Sequence, residues 1–305
     1  MKKKILISCS NGVTSYKLIS LLKKNYIVYG IDVNDVGAGK TVCNYFFKSP
    51  LPNSKKYIPF IKKIIKKVDL VFLYSDEELK AVSLAIKNKI LVQNKIIISD
   101  HKTLEICLNK RKFDKFFKSK NQYFKIPKTN LAKMNIIKPV EGRGSKNILK
   151  IKDKKIIKFF LNFKNKFIVQ EYLPGKEYTI DCYFDKNGLL LSHLIRERVV
   201  KSNVSISSKI INRNQRIKEC INFISKKLKF TGPINVQIIE NKNQLYLIEI
   251  NPRLSGSLSF SLDAGFDPFR LSAKEYLNCN IKRFNKSNAK FFHRYYDFIK
   301  KKKIS

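Results

Sequence analysis

Short apolar runs alternate with lysine-studded amphipathic stretches through the first hundred residues. KILIS (4–8), IVYGI (27–31), DLVFLY (69–74) and III (96–98) read as β-strands, and 14–24, 57–67 and 77–88 as helices. Strand and helix in alternation predict a parallel sheet. Ser75, followed by Asp76, Glu77 and Glu78, has the form of a helix cap with acids in the first turn, which places one strand-to-helix junction. Residues 101–120 predict a helix, Pro127 a break, and 214–228 a further helix. The most informative alternation comes late: Ile234–Ile239 and Gln244–Ile250 pair as antiparallel strands about a polar turn at Glu240–Asn243.

That hairpin carries candidate chemistry. Glu249 and Asn251 lie two apart, so a continuous strand projects them to one face, and pairing brings Gln237 alongside. One carboxylate beside two amides suits magnesium, with manganese as the alternative ion. Magnesium takes one or two carboxylates and fills its other positions with water and nucleotide phosphate. An ordinary surface hairpin accounts for the same pattern.

Two further segments have the right residue types for a nucleotide. Lys138 closes an apolar strand, Pro139 stiffens the exit, and Gly142, Gly144 and Ser145 follow in a polar loop. Such a loop brings backbone amides against phosphate oxygens while lysine supplies a point charge, or it is a plain turn holding a snorkelled lysine. Glu171–Leu173 leaves a strand, Pro174 and Gly175 turn the chain, and Glu177 begins another strand. Backbone groups there can read an adenine edge and Glu177 can meet ribose hydroxyls; the alternative is a hairpin with two exposed acids. Two other motifs fail on inspection. The turn SCSNGVTS lacks the GxGxxG that would make Asp32, at the end of the second strand, part of a nicotinamide site. GAGKT at 37–41 has Asn34 where a phosphate loop needs its first glycine, and it predicts a loop.

Composition narrows the classes. The 305 residues are 44% hydrophobic, enough for two or three compact units, and no apolar run approaches the length of a membrane span. The apolar piece of MKKKILISCS is too short for a signal peptide. Six cysteines without a CxxC pair indicate neither a zinc site nor a disulfide framework, and favour a reducing cytoplasm. A formal charge of +40 invites nucleic acid, yet only ten of the 63 basic residues are arginines and the lysines are dispersed from Lys2 to Lys303. Base readout leans on arginine, and the accompanying richness in Ile, Asn, Phe and Tyr, whose codons are mostly A and T, explains the lysines economically. Nucleic acid is therefore disfavoured, and the Lys300–Lys303 run reads as a solvated tail. For oligomeric state the default expectation is a homodimer.

Taken in order, CLNKRKFDKFF, IIKPVEGRGS, VQEYLPGKEYT, GPINVQ and LIEINPRLSGS resemble the ATP-grasp superfamily, especially the half-domain of carbamoyl phosphate synthase large subunit and its short relatives. The resemblance covers nearly the whole chain. It implies an α/β fold with a Rossmann-like preATP-grasp domain at 1–100, then a two-part α+β ATP-grasp domain. That domain would comprise a linking helix and shortened lid at 101–170 and a nucleotide- and metal-binding subdomain at 171–305. The resemblance makes Lys110 and Lys138 the cations that grip the nucleotide phosphates and Gly142, Gly144 and Ser145 the loop that closes over them. It makes Glu171, Tyr172 and Leu173 the adenine hinge, Glu177 the ribose contact, Gln237, Glu249 and Asn251 the magnesium ligands, and Arg253 the residue facing the γ-phosphate. It implies an ATP-dependent ligase that activates a small-molecule carboxylate as an acyl phosphate for attack by an amine, or, alternatively, a non-catalytic ATP-binding subunit.

The chain departs from the family in two places. Only Asn130–Asn135 separates the Pro-Lys-Thr turn from the Lys138 strand, so the lid is abbreviated. In RERVVKSNVSISS, Ser202 and Asn203 stand where relatives often have glycines. Arg196 and Arg198 within it are expected either to contact phosphate or substrate carboxylate, or to pair at the surface with Glu197 and other acids.

Overall fold

A computed structural model of the chain describes residues 1–118, 121–142, 147–201 and 205–295. Gly144, Ser145, Ser202, Asn203 and the Lys300–Lys303 run lie outside the described residues.

The amino-terminal third alternates as its pattern predicts: β1 (Lys3–Ser8), α1 (Ser15–Leu22), β2 (Tyr26–Asp32), α2 (Ala38–Val42), β3 (Tyr45–Lys48), α3 (Tyr57–Ile65), β4 (Leu70–Phe72) and α4 (Asp76–Lys87). The four strands form a parallel sheet in the order β3-β2-β1-β4, while the strand expected at 96–98 does not form and is reduced to an isolated parallel bridge from Ile96 to Val71. Ser75 caps α4 in a full capping box: its hydroxyl accepts from the Glu78 amide at 3.1 Å, and the Glu78 carboxylate accepts from the Ser75 amide at 3.0 Å.

The GAGKT stretch is not a loop. It holds α2 and leads directly into β3. β3 is an edge strand with no fully buried residue, so it lacks the alternation that would mark it in sequence. α2 is fastened instead by a polar contact, the Lys40 amide donating to Asn11 Oδ1 at 2.7 Å. Gly39 lies so close to the preceding crossover that a Cβ would stand 1.6 Å from the Ser10 carbonyl oxygen.

The expected helix at 101–120 divides into α5 (His101–Cys107) and α6 (Lys110–Phe117). Asn109 restarts the helix, its Oδ1 accepting from the Arg111 and Lys112 amides at 3.2 and 3.0 Å. A small antiparallel sheet follows, built from β5 (Asn135–Pro139), β6 (Leu149–Ile151) and β7 (Phe167–Glu171) in the order β6-β5-β7, with α7 (Lys154–Asn162) packed on it.

The carboxy-terminal part comprises β8 (Lys176–Phe184), β9 (Leu190–Lys201), β10 (Ser205–Ile211), α8 (Gln215–Ser225), β11 (Gly232–Asn241), β12 (Gln244–Asn251), α9 (Leu258–Asp263), α10 (Pro268–Leu277) and β13 (Phe291–His293). Its sheet is antiparallel in the order β12-β11-β8-β9-β10-β13. One face is apolar: Ile180, Cys182, Ile195, Ile234, Val236 and Ile238 pack against Ile217, Ile221 and Ile224 of α8. The two ends of the chain also share a core, in which Ile5, Ile7 and Phe72 meet Leu258, Leu262 and Phe269, the rings of Phe72 and Phe269 lying edge-on at 4.7 Å. Among the described residues no helix is long and apolar enough to cross a membrane.

Gly39→Ala forces α2 and the loop between β1 and α1 apart, and overpacking against rigid backbone costs about 1–3 kcal/mol. Its expected outcome is a lower midpoint in urea and thermal unfolding. Gly142→Ala meets no neighbour within 4 Å among the described residues but is strained by its φ of +126°, and is expected to lower the thermal midpoint by about 2–4 °C.

Candidate functional site

Alternation on the strands builds the site on the face of the six-stranded sheet opposite α8. Paired residues lie in rows across it. Asn251, Asn235 and Asp181 form one row, and Glu249, Gln237, Thr179 and Arg196 the next. The β11–β12 turn is tighter than expected, since both strands run through to Asn241 and Gln244 and only Lys242 and Asn243 remain, each with positive φ as a two-residue hairpin turn requires. Gln237 sits directly opposite Glu249. The Asn251 amide donates to Glu249 Oε1 at 2.9 Å, so the three oxygens form one cluster.

This cluster floors a cavity of about 500 Å³ at the meeting of all three sheets. Lys138 enters from β5, Lys110 from α6 and Gly142 from the loop beyond β5. Glu177 comes from β8, and Arg253 from just past β12. The amino-terminal sheet supplies a wall that sequence reasoning missed, made of Cys9, Gly12, Thr14, Ser15 and Tyr74. Ile239 and Ile248 line it beside Ile136 and Ile148, which gives the cavity an apolar part.

The charges within are arranged unequally. Lys138 is 7% exposed, and burial lowers its pKa while Glu249 and Asp114 pull the other way. Lys110 donates through Nζ to the Gly142 carbonyl at 2.9 Å and through its amide to the Val140 carbonyl, which ties α6 to the loop. Arg196 and Arg198 do not form surface pairs. Arg196 is fully buried, with Nε and Nη2 on Asp181 Oδ2 at 3.1 and 2.8 Å, and Asp181 also accepts from Ser261 at 2.5 Å. Arg198 pairs with Glu177, so the residue expected to meet ribose already holds a guanidinium. Burial works against the Arg253 charge, but Asp76 and then Glu249 hold its pKa above the usual arginine value.

The hinge residues are less concentrated. Glu171, Tyr172 and Leu173 do not line this cavity. The Tyr172 amide donates to the Met134 carbonyl at 2.8 Å and that of Glu171 to Lys128, while Glu171 faces a separate cleft of about 1070 Å³ with Lys128 and Tyr246. Leu173 is 7% exposed.

Asn235 and Asp181 were legible in principle, lying two residues before Gln237 and four after Glu177 on the same strand faces. Asp76 had no local signal, being 177 residues from Arg253. As to a metal, among the described residues no group of three or more His, Cys, Asp or Glu is placed so that it could hold a metal ion. One carboxylate with neighbouring amides fits a hard cation that receives most of its ligands from phosphate and water.

The comparisons agree with this architecture. The family model described as "ATP-grasp in the biosynthetic pathway with Ter operon" matches residues 163–295. The carbamoyl phosphate synthase large chain of Clostridium perfringens (strain SM101 / Type A) is 32% identical over 105 residues, covering 32% of this chain and 10% of that protein. The tyramine–L-glutamate ligase of Methanocaldococcus jannaschii is 25% identical over 148 residues, covering 44% of this chain and 40% of that one. N5-carboxyaminoimidazole synthetase from Staphylococcus aureus superposes with a TM-score of 0.69 at 17% identity, over 93% of this chain and 80% of that one. Residues 163–295 thus resemble an ATP-grasp family, part of the chain resembles the carbamoyl phosphate synthase large chain, and the fold as a whole is consistent with a preATP-grasp domain ahead of an ATP-grasp domain. The chain's match spans about a tenth of the length of the carbamoyl phosphate synthase relatives.

One pH dependence follows from the site. Burial pushes the Asp114 carboxyl up to about 6, against the pull of Lys138 and the Gln170 hydrogen bond of 2.9 Å. Between its ordinary value near 3.8 and about 6 the folded chain binds more protons than the unfolded one, so stability falls as pH rises through that window. Asp114→Asn should flatten this slope by on the order of 2 kcal/mol, measured as urea midpoints from pH 4 to 7.

Proposed function

We propose that the protein is an ATP-dependent ligase that joins a small-molecule carboxylate to an amine. The observation that carries this reading is the convergence of Lys110, Lys138, Gln237, Glu249, Asn251 and Arg253 on one cavity from different elements. In the proposed reaction a carboxylate oxygen attacks the γ-phosphorus of ATP, forming an O–P bond as the bridging P–O bond breaks and its electron pair leaves on ADP. The amine nitrogen then adds to the acyl carbon. A C–N bond forms, the C–O bond breaks with its electrons going to phosphate, and the nitrogen releases a proton to solvent.

Each side chain has a task that needs no covalent intermediate with the protein. Lys110 and Lys138 neutralise nucleotide phosphate, and the apolar patch of Ile136, Ile148, Ile239 and Ile248 suits an adenine ring. The hinge reading of Glu171–Leu173 would then hold only when lid and floor come together around the nucleotide. Glu177 remains the proposed ribose contact, with Arg198 fixing its carboxylate. Arg253 faces the transferred phosphoryl, where a permanently charged planar fork stabilises anionic oxygen. Gln237, Glu249 and Asn251 are the groups that would hold magnesium or manganese. When bound, such a cation neutralises charge on the phosphates.

The division at about 100 and 170 is kept in this reading, supported by one sheet falling in each part. A cytoplasmic setting is also part of the proposal, supported by six free thiols. The carboxylate and amine remain defined by class only, because one fold hosts many acceptors.

The experiment is ATP binding by calorimetry with and without magnesium, followed by ADP release on a panel of carboxylates and amines. Glu249→Ala is expected to abolish magnesium-dependent binding and to lower turnover by at least about a hundredfold. No detectable binding of ATP with magnesium to the wild type rejects the reading, and binding without turnover on every pair favours a non-catalytic subunit. Lys138→Met should weaken ATP binding at least about tenfold yet leave the melting temperature equal or higher, since a desolvated ammonium is replaced by an apolar chain of similar length.

A further inference from the structure

We propose that Asp76 is a positioning residue for Arg253, so that the amino-terminal domain takes part in the phosphoryl end of the site. Asp76 is the first residue of α4, and its Oδ1 accepts from Arg253 Nε at 2.8 Å, both side chains being about nine-tenths buried at 12% and 11% exposure. The contact joins residues 177 apart in sequence, from different sheets of the molecule.

Asp76 is itself held firmly. The Glu78 carboxylate, one turn along the capping box, accepts from Ser8 Oγ at 2.6 Å on β1, from Tyr57 Oη at 2.9 Å on α3 and from the Ser75 amide at 3.0 Å. Glu78 is 4% exposed, so these bonds are shielded from water. The start of α4 is thereby bolted to the parallel sheet, and Asp76 is presented to the cavity from a rigid base.

The guanidinium inventory shows what the contact achieves. Of five N–H donors, Nε is on Asp76, one from Nη1 is on the Leu254 carbonyl at 3.3 Å, and one from Nη2 is on Asn251 Oδ1 at 3.2 Å. Among the described residues two donors remain, one on each terminal nitrogen, enough to hold two oxygens of a single anion. Asp76 fixes the rotation that leaves those two donors free and supplies the counter-charge that a buried guanidinium requires. The same bonds run on to the candidate metal cluster, because the Asn251 that accepts from Arg253 also donates to Glu249 at 2.9 Å.

This inference rests on the nucleotide-site reading, and the experiment separates the two. ATP affinity with magnesium, turnover and melting temperature are measured for wild type, Asp76→Asn, Asp76→Ala, Arg253→Lys and Asp76→Asn/Arg253→Lys. Asp76→Asn retains an acceptor for Nε–H but no charge, and is expected to lower kcat about tenfold with ATP Kd within about threefold; Asp76→Ala is expected to lower it about a hundredfold. In the Arg253→Lys background the added Asp76→Asn change should have little further effect on kcat, the non-additivity expected when one residue acts through another. A merely structural role would lower the melting temperature and weaken ATP binding together without that coupling. Wild-type binding and turnover with Asp76→Ala within about twofold in kcat, or fully additive losses in the double variant, overturn the positioning role alone. Absence of ATP binding to the wild type removes the nucleotide reading and this role with it.

Discussion

The register of β11 against β12 is the constraint on which the site depends. Gln237 pairs with Glu249, but the next residue, Ile238, pairs with Leu247, which leaves Ile248 as an extra residue in the ladder. Leu245 and Leu247 are buried in the core shared with α8, as is Ile250. Without the bulge, strict alternation would carry Glu249 and Asn251 to the same face as Leu245 and Leu247, into that core. The extra residue reverses the parity and turns both toward Gln237 and the cavity. It also places Ile248 on the cavity side, next to Ile239. One irregular residue thus gives the site both its oxygen cluster and part of its apolar wall.

Charge in the cavity is divided by residue type. The chain carries a large positive excess, yet each of the three arginines lining the cavity has its own acid: Arg196 has Asp181, Arg198 has Glu177 and Arg253 has Asp76. These pairs contribute oriented donors with little net charge. Lys110 rests on a carbonyl, and Lys138 feels Asp114 and Glu249 without closing an ion pair among the described residues. On the proposed reading the attraction for a polyanion would come from the lysines, while the arginines contribute geometry. That division suits phosphoryl transfer, where charge must be neutralised in one place and oxygen positions held in another.

The parts legible in sequence were those written in local periodicity. The strands and helices expected between residues 4 and 88, the Ser75 cap and the late hairpin each depend on residues within a few positions of one another, and each formed, whereas the expected strand at 96–98 is only an isolated bridge. The double apolar step Leu247–Ile248 is the visible trace of the bulge, although its effect on parity becomes clear only with a partner strand. β3 escaped because an edge strand buries no continuous face, and the break at Asn109 because a capping asparagine inside a helical run reads as an ordinary polar residue. The acids that complete the arginines escaped for a different reason. Asp76–Arg253 is a contact between sheets, and no spacing rule along one element can announce it. Residue types pointed to the oxygen cluster; only the fold reveals that Glu177 is already occupied by Arg198.

The distribution of buried apolar surface gives the three parts unequal rigidity. Among the described residues the β5–β7 sheet and α7 rest on a small cluster in which Ile137, Ile157 and Val169 are buried, whereas the floor sheet shares a core that extends through α5, α6 and α8. The amino-terminal wall is locked to the floor by the Phe72–Phe269 core. Segments with few buried contacts open at lower free energy than those in a large core. The β5–β7 sheet, which carries Lys138, is thus the least firmly held of the three. Burial disfavours the Lys138 ammonium and Glu249 and Asp114 offset this in part, so on the proposed reading a nucleotide phosphate beside it would offset it further. On the proposed nucleotide reading, movement of this sheet over a phosphate and stabilisation of Lys138 would be one event, and it would couple substrate entry to exclusion of water where a reactive acyl phosphate would have to be protected.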